Sequence, residues 1–280
     1  MMQNDIGRHP LKMVLIYIFL GAGSLFYLYP LLWLILNSLK HTPQIYENPW
    51  GFPEQFIWSN YSDAWTTGGT GKYLFNSVVI TAVTLLIVVV VSSMAAYALA
   101  KLRWKASKLT LGYFLIGMMV PIHATLIPLF VYFSKIGMIN SQIGLIIIYA
   151  AFALPAAILI LCGFLGAIPN ELMEAAVIDG CSVYGVFWRI ILPVAKSALM
   201  TIVIFSFVSI WNELLVALVF ISDPLKMTLP VGLSNFKDQY TTDYAPMFAA
   251  ILMATIPTIT VCAIFSKRIM SGMAEGAIKG

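Results

Sequence analysis

Charge is what this 280-residue chain has least of. Lys, Arg, Asp and Glu together make up 10% of it, against roughly 25% in an average soluble domain. Too little polar surface remains to wrap a water-soluble fold, and no stretch is long or polar enough to form a second, soluble domain. Histidine and cysteine each occur three times. Cys162, Cys181 and Cys262 are odd in number and map to an apolar run or to the inner side of the membrane, so no structural disulfide is expected. Nothing pairs the 14 methionines with Cys or His as metal ligands. The apolar runs hold one histidine, His123, and one acidic residue within a run, Glu213. That leaves no convergent nucleophile and base for an intramembrane enzyme.

Hydrophobicity fills the space that charge leaves: 60% of residues are apolar and the mean hydropathy is +0.90. Six runs exceed the roughly 18 residues of a spanning helix: Met13–Leu39, Tyr73–Ala100, Leu109–Ser134, Ser141–Asn170, Ser197–Asp223 and Tyr244–Ser266. Glu213 alone interrupts the fifth. None alternates as an outer-membrane barrel strand must. The expected class is an all-α membrane protein with a single transmembrane domain over 1–280. Its spans are expected near 13–38, 74–99, 109–133, 143–166, 197–221 and 245–266. The first run is too long for a signal-peptide core and lacks a small-residue cleavage site, so it reads as a retained anchor.

Basic residues divide unevenly between the two sets of loops. Arg8, Lys12, Lys101, Arg103, Lys105, Lys108, Arg189, Lys196, Lys267, Arg268 and Lys279 fall on one side, and Lys40, Lys72, Lys135, Lys226 and Lys237 on the other. The positive-inside rule then predicts that both termini are cytoplasmic. Lys101–Lys108 reads as a cytoplasmic turn rather than a nucleic-acid footprint, which would cover a larger face. Two outer loops, 39–73 and 222–244, are rich in turn residues and aromatics.

Among the inner links only 167–196 is long, and it reads as two short helices. Pro169 suits a first turn, Glu171 and Glu174 sit at the positive dipole end, and Leu172, Ala175 and Ala176 form an apolar stripe. Gly180 stops the first helix. Ser182 can cap a second, with Val183, Val186, Phe187 and Ile190 on one face and Pro193 at its end. A membrane-surface helix usually carries Lys and Arg on its polar face. Here that face holds Glu171, Glu174 and Asp179, which favours a protein partner.

Glu174-Ala175-Ala176, three residues, Gly180, nine residues, Ile190, one residue and Leu192-Pro193 resemble the EAA loop of ABC-importer permeases. Ile168-Pro169, Glu171-Leu172 and Asp179 resemble its carbohydrate-uptake branch. Trp211-Asn212-Glu213 and the ending Gly276-Ala277-Ile278-Lys279-Gly280 are similar to the smaller, MalG-type permease subunit of maltose-like importers. The resemblance covers roughly residues 12–280, far more than a lone motif. It implies a MetI-like permease core working with a second, larger permease, two cytoplasmic ATPases and an external solute-binding protein. Carbohydrate is the implied substrate class, with ATP and Mg held by the partner ATPases. Glu174, Ala175, Ala176, Asp179, Gly180, Ile190, Leu192 and Pro193 would couple to the ATPase, and Gly276, Lys279 and Gly280 would add a tail contact.

This chain is not itself expected to be the ATPase: at Gly69-Thr70-Gly71-Lys72, Tyr73 stands where a phosphate loop needs Ser or Thr. Glu213, as an intramembrane carboxylate, is a functional candidate by default, either in a substrate pathway with Trp211 and Asn212 or as a polar clasp between helices. His123, between Pro121 and Pro128, is a pathway candidate or a packing residue. Trp33, Trp58 and Trp65 fit interface belts and loop packing. A self-contained secondary transporter or channel is the alternative, but it should show paired broken spans in two halves, and no such repeat is evident.

Overall fold

A backbone in hydrocarbon finds no water to bond, and a helix satisfies its N–H and C=O groups within its own segment. The apolar runs accordingly fold as helices. The computed structural model describes residues 10–102, 104–239 and 244–277, and no strand occurs among them. In chain order the elements are α1 (Pro10–Ser38), α2 (Thr42–Glu47), α3 (Ser59–Thr66), α4 (Thr70–Lys101), α5 (Ser107–Met119), α6 (Leu126–Lys135) and α7 (Gln142–Gly166). They continue with α8 (Glu171–Ile178), α9 (Val183–Val186), α10 (Leu192–Val194), α11 (Lys196–Trp211), α12 (Leu215–Phe220), α13 (Leu229–Gln239) and α14 (Tyr244–Ala277).

Among the described residues four helices are long and apolar enough to cross a membrane unbroken: Met13–Ser38, Thr70–Lys101, Gln142–Gly166 and Tyr244–Phe265. The expected third span is not one rod. Ser107–Met119 and Ile122–Lys135 meet at 83°. Pro121 is the cause, because proline lacks an N–H and pushes the residue before it out of helical geometry; Val120 is extended, with ψ at 112°. The fifth expected span differs too. Lys196–Trp211 joins the preceding Val183–Val194 at 72°, and it stops before the helix resumes at Leu215. Counting each bent pair as one span gives up to six.

The chain divides into two compact units, Met1–Thr70 with Asn235–Ala254, and Gly71–Ser234 with Thr255–Gly280. In the first, none of the most apolar stretch of α1 is buried, whereas Asn37 and Ser38 at its end are. Below its end the chain is tied by polar side chains. Lys40 is fully buried, and its ammonium donates to Asn37 Oδ1 and to the carbonyls of Asn48 and Pro49. Burial lowers its pKa from the ordinary lysine value. Asn60 Nδ2 donates to the carbonyls of Ser38 and Lys40.

The second unit is built on α7, which packs against α5, α11 and α12. Val88 and Ala96 of α4, Ile158, Leu161 and Leu165 of α7, and Ile202 of α11 share one buried cluster. In lipid such a core is held by close dispersion contact rather than by escape from water. At the other end of α4, Asn76 Nδ2 donates to the carbonyls of Leu225 and Met227, and Ser77 Oγ accepts from Leu229 N–H. Asn140, at φ +57°, accepts from the N–H groups of Ser222 and Asp223. The segment 222–229 is thereby pinned at both ends.

Gly232 of α13 lies so close to Tyr73 that an added Cβ would enter its ring, whereas Gly21 of α1 has nothing within 4 Å. Tyr73 is itself buried. Gly232→Ala is expected to destabilise the chain by about 1–3 kcal/mol, the usual range for overpacking, and Gly21→Ala to leave it unchanged. Equilibrium unfolding in mixed micelles measures both. Equal stability of the two variants would show that Tyr73 moves aside freely.

Candidate functional site

The segment between α7 and α11 is shaped by local hydrogen bonds. Glu171 and Glu174 occupy the first turn of α8, where the free N–H groups and the dipole favour negative charge. At its other end Gly180 adopts φ +82°. Gly180 N–H bonds to the Val177 carbonyl at 3.0 Å and Cys181 N–H to the Ala176 carbonyl at 2.9 Å. This is the paired closure of a Schellman turn, which wants glycine at the left-handed position. Ser182 follows at once, its Oγ accepting from Gly185 N–H at 3.2 Å, and so opens α9. Two capping motifs back to back leave the corner little freedom.

This hairpin is fastened to the core beneath it. Lys101, in the last turn of α4, donates to the Ile168 carbonyl at 2.6 Å and to Asn170 Oδ1 at 3.1 Å. Tyr97 donates its hydroxyl to the Val183 carbonyl, and its ring lies 5.4 Å from that of Phe187. Ala176, Val186, Phe187 and Ile191 are buried in the α4–α7 cluster. On the opposite side Leu172, Val177, Ile178, Tyr184 and Trp188 are exposed, with Glu174, Ala175, Asp179 and Gly180 among them. Between the end of α4 and the hairpin runs a groove of about 380 Å³, lined by Tyr97, Lys101, Met173, Glu174, Val177 and Val183.

The anticipated details differ in three places. Pro169 precedes α8 by two residues rather than opening it. Of the stripe Leu172, Ala175 and Ala176, only Ala176 is buried; Met173 packs inward in place of the other two. Pro193 does not end the second helix. A π-turn at Phe187–Ile191 leads into α10, where Pro193 is the second residue, so its missing N–H falls where the helical ladder has already slipped. Ile190 and Leu192 are half-buried and Pro193 is exposed.

A second site lies where the fifth span breaks. Asn212 Nδ2 donates to the Val208 carbonyl at 2.8 Å. Glu213 Oε1 accepts from Val216 N–H at 2.8 Å, and Oε2 accepts from Ala217 N–H at 3.2 Å and from the Tyr149 hydroxyl at 2.7 Å. One carboxylate therefore caps α12 and clasps it to α7. Beside it is a cavity of about 260 Å³ lined by Val120, Ile122, Tyr149, Phe152, Ser209 and Glu213, among others. Val120 and Ile122 flank the break of the third span, so both interruptions meet at this cavity.

Of the anticipated pathway residues only Glu213 lines the cavity. Trp211 is buried and stacks on Phe207 at 5.5 Å, Asn212 serves the backbone, and His123 is exposed in the turn between α5 and α6. Tyr149 was missed by sequence reasoning. Its signal was a hydroxyl in an otherwise apolar run, where a partner is needed. Of the tail residues, Gly276 lies in the backbone of α14, while Lys279 and Gly280 lie outside the described residues.

Residues 88–273 match the family described as the binding-protein-dependent transport system inner membrane component. The chain is 32% identical over 258 residues to the diacetylchitobiose uptake system permease protein NgcG of Streptomyces coelicolor, covering 91% of this chain and 85% of that one. It is 33% identical over 267 residues to the multiple sugar-binding transport system permease protein MsmG of Streptococcus mutans, covering 94% and 96%. Its fold matches a crystal structure of a bacterial ABC transporter involved in import of the acidic polysaccharide alginate. The TM-score is 0.79 at 23% identity, over 92% of this chain and 96% of that one.

The clasp predicts a ranked series. Glu213→Leu leaves two N–H groups and a hydroxyl without their acceptor and is expected to cost about 2 kcal/mol or more. Tyr149→Phe removes a single interhelical bond, worth about 0.6 kcal/mol in a membrane protein. Glu213→Gln, with one oxygen left to accept, should fall between. Unfolding in mixed micelles measures all three, and a Leu variant as stable as wild type would remove the clasp.

Proposed function

The chain belongs to the family of binding-protein-dependent transport system inner membrane components, and we propose that it is the smaller permease subunit of an ATP-binding-cassette importer for a carbohydrate. The sugar-uptake permeases it resembles over nine-tenths of its length support that substrate class. In this reading both termini are cytoplasmic, as the basic residues favour. A larger permease completes the pathway, an external binding protein delivers the solute, and two ATPases bind ATP and Mg on the cytoplasmic side.

The observation that carries the proposal is the two-sided hairpin at 167–196. Its inner side is fixed in the core by Ala176, Val186, Phe187 and Ile191, and its outer side offers Glu174 among exposed apolar residues. An ATPase cleft with an apolar floor and one basic residue complements that surface. Because Lys101 and Tyr97 tie the hairpin to α4, a push on it moves helices as a body. Closure of the ATPases around ATP would then rock the spans between inward- and outward-open states. The tail around Gly276–Gly280 adds a second ATPase contact. The cavity at Glu213 and Tyr149 borders the pathway, and there the carboxylate shapes the wall rather than binding sugar by itself. The paired breaks of spans three and five suit alternating access, in which short half-helices shift without unwinding a whole span.

Charge reversal at the hairpin tests the coupling. Glu174→Lys changes no lipid-buried group and is expected to insert and express normally. It should abolish transport, because a paired charge of reversed sign costs several kcal/mol at an interface. Reversing the basic residue of the ATPase cleft should restore part of the activity. Transport at the wild-type rate in Glu174→Lys would overturn the coupling role. Orientation is tested separately: a cysteine at Ser62 should react with an impermeant thiol reagent added to intact cells, and one at Lys105 should not. The reverse pattern would invert the topology.

A further inference from the structure

The loop that follows α1 does not simply leave the membrane. At 1.5 Å per residue, the apolar stretch Met13–Ser38, 26 residues long, extends about 39 Å, against a hydrocarbon core of about 30 Å. Beyond Ser38 the chain turns, forms α2, and then comes back alongside α1. Trp50 stacks on Tyr29 at 5.8 Å and meets Trp33 at 5.9 Å. Tyr29 lies about 13 Å inside the end of α1 by the same helical rise. By Ile57, whose N–H bonds to the Leu39 carbonyl at 2.9 Å, the chain has returned to the helix end. Residues 48–57 thus dip toward the bilayer and rise again.

Irregular backbone at such depth is tolerated only where the protein itself satisfies its polar groups. Lys40 donates to the Asn48 and Pro49 carbonyls, and Asn37 Nδ2 also donates to Pro49. Gly51 N–H bonds to Asn48 Oδ1. Gln44 takes the Phe52 carbonyl through Nε2 and the Glu54 N–H through Oε1. Outward, the same segment shows rings: Trp50 is 65% exposed, Phe52 80%, Phe56 60% and Trp58 68%. Tryptophan and other large aromatics favour the boundary between headgroups and hydrocarbon.

We propose that residues 48–58 are a re-entrant knuckle seated in the lipid headgroup region, with Trp50 and Phe52 deepest and Phe56 and Trp58 near the phosphates. The proposal rests on α1 spanning the membrane. Its occupant is neutral phospholipid: the exposed Glu47 just before the knuckle and the exposed Glu54 on its rising limb, between Phe52 and Phe56, disfavour an anionic surface. Lys40 is the internal staple that lets the backbone dip without water.

The test is spin-label accessibility in the assembled transporter, reconstituted in phosphatidylcholine nanodiscs, with Cys162, Cys181 and Cys262 replaced by serine. Single nitroxides are placed at 20, 52, 56 and 62. At position 52 collisions with oxygen should exceed those with a water-soluble nickel chelate several-fold. Position 56 should give a smaller ratio, and Ser62, on α3, should favour the chelate. Chelate-dominated values at 52 and 56 with a lipid-like value at 20 would overturn the knuckle while leaving α1 as a span; a water-like value at 20 would instead overturn the span. Chelate access at 52 that disappears only on adding the external binding protein would also overturn the proposal, marking the rings as a protein-docking surface.

Discussion

A carboxylate stands where a turn of helix is missing. Between Trp211 and Leu215 the fifth span gives up its backbone ladder, and in hydrocarbon each abandoned N–H must find another acceptor. Glu213 supplies two of them and takes the Tyr149 hydroxyl as well. Asn212 covers a carbonyl on the other side of the break. The break is thus a built corner rather than a weakness. It fixes α12 against α7, the helix on which the second unit is organised, and it forms one wall of the cavity that the third span's break also reaches.

The same economy recurs at the hairpin between α7 and α11. There the corner is made by backbone bonds, a left-handed glycine and a serine cap, and long side chains from α4 hold it down. Lys101 reaches carbonyl and amide oxygens at the start of the loop, and Tyr97 reaches its middle. Rigidity on the inner side and exposure on the outer side are what the proposed coupling role requires, since a compliant loop would absorb a displacement rather than transmit it.

Absence of charge is a one-dimensional property, so the six runs were legible in the sequence. The hairpin was legible because its signals are local: acids in the first turn, Gly180 at the stop, Ser182 at the restart. The broken spans were not. Pro30, Pro155 and Pro257 all lie inside unbroken helices, so a proline such as Pro121 does not by itself announce a bend. Asn212 and Glu213 read equally well as polar residues on a continuous helix. Tyr149 and Glu213 stand 64 positions apart, and no periodicity joins them. The ties from Asn76, Ser77 and Asn140 to the 222–229 segment were invisible for the same reason, because each depends on a distant residue arriving at the right height.

That separation orders the events of synthesis. Tyr149 enters the membrane with α7, ahead of Glu213, which follows 64 residues later in the chain. Until the fifth span arrives, the α7 hydroxyl has no carboxylate to bond, and it must lean on its own helix or on water at the insertion channel. The half-made protein therefore carries a polar defect in its central helix, which α12 later closes. A chain that stops between residues 149 and 213 presents an incomplete wall, with the Tyr149 hydroxyl still lacking the carboxylate that closes it.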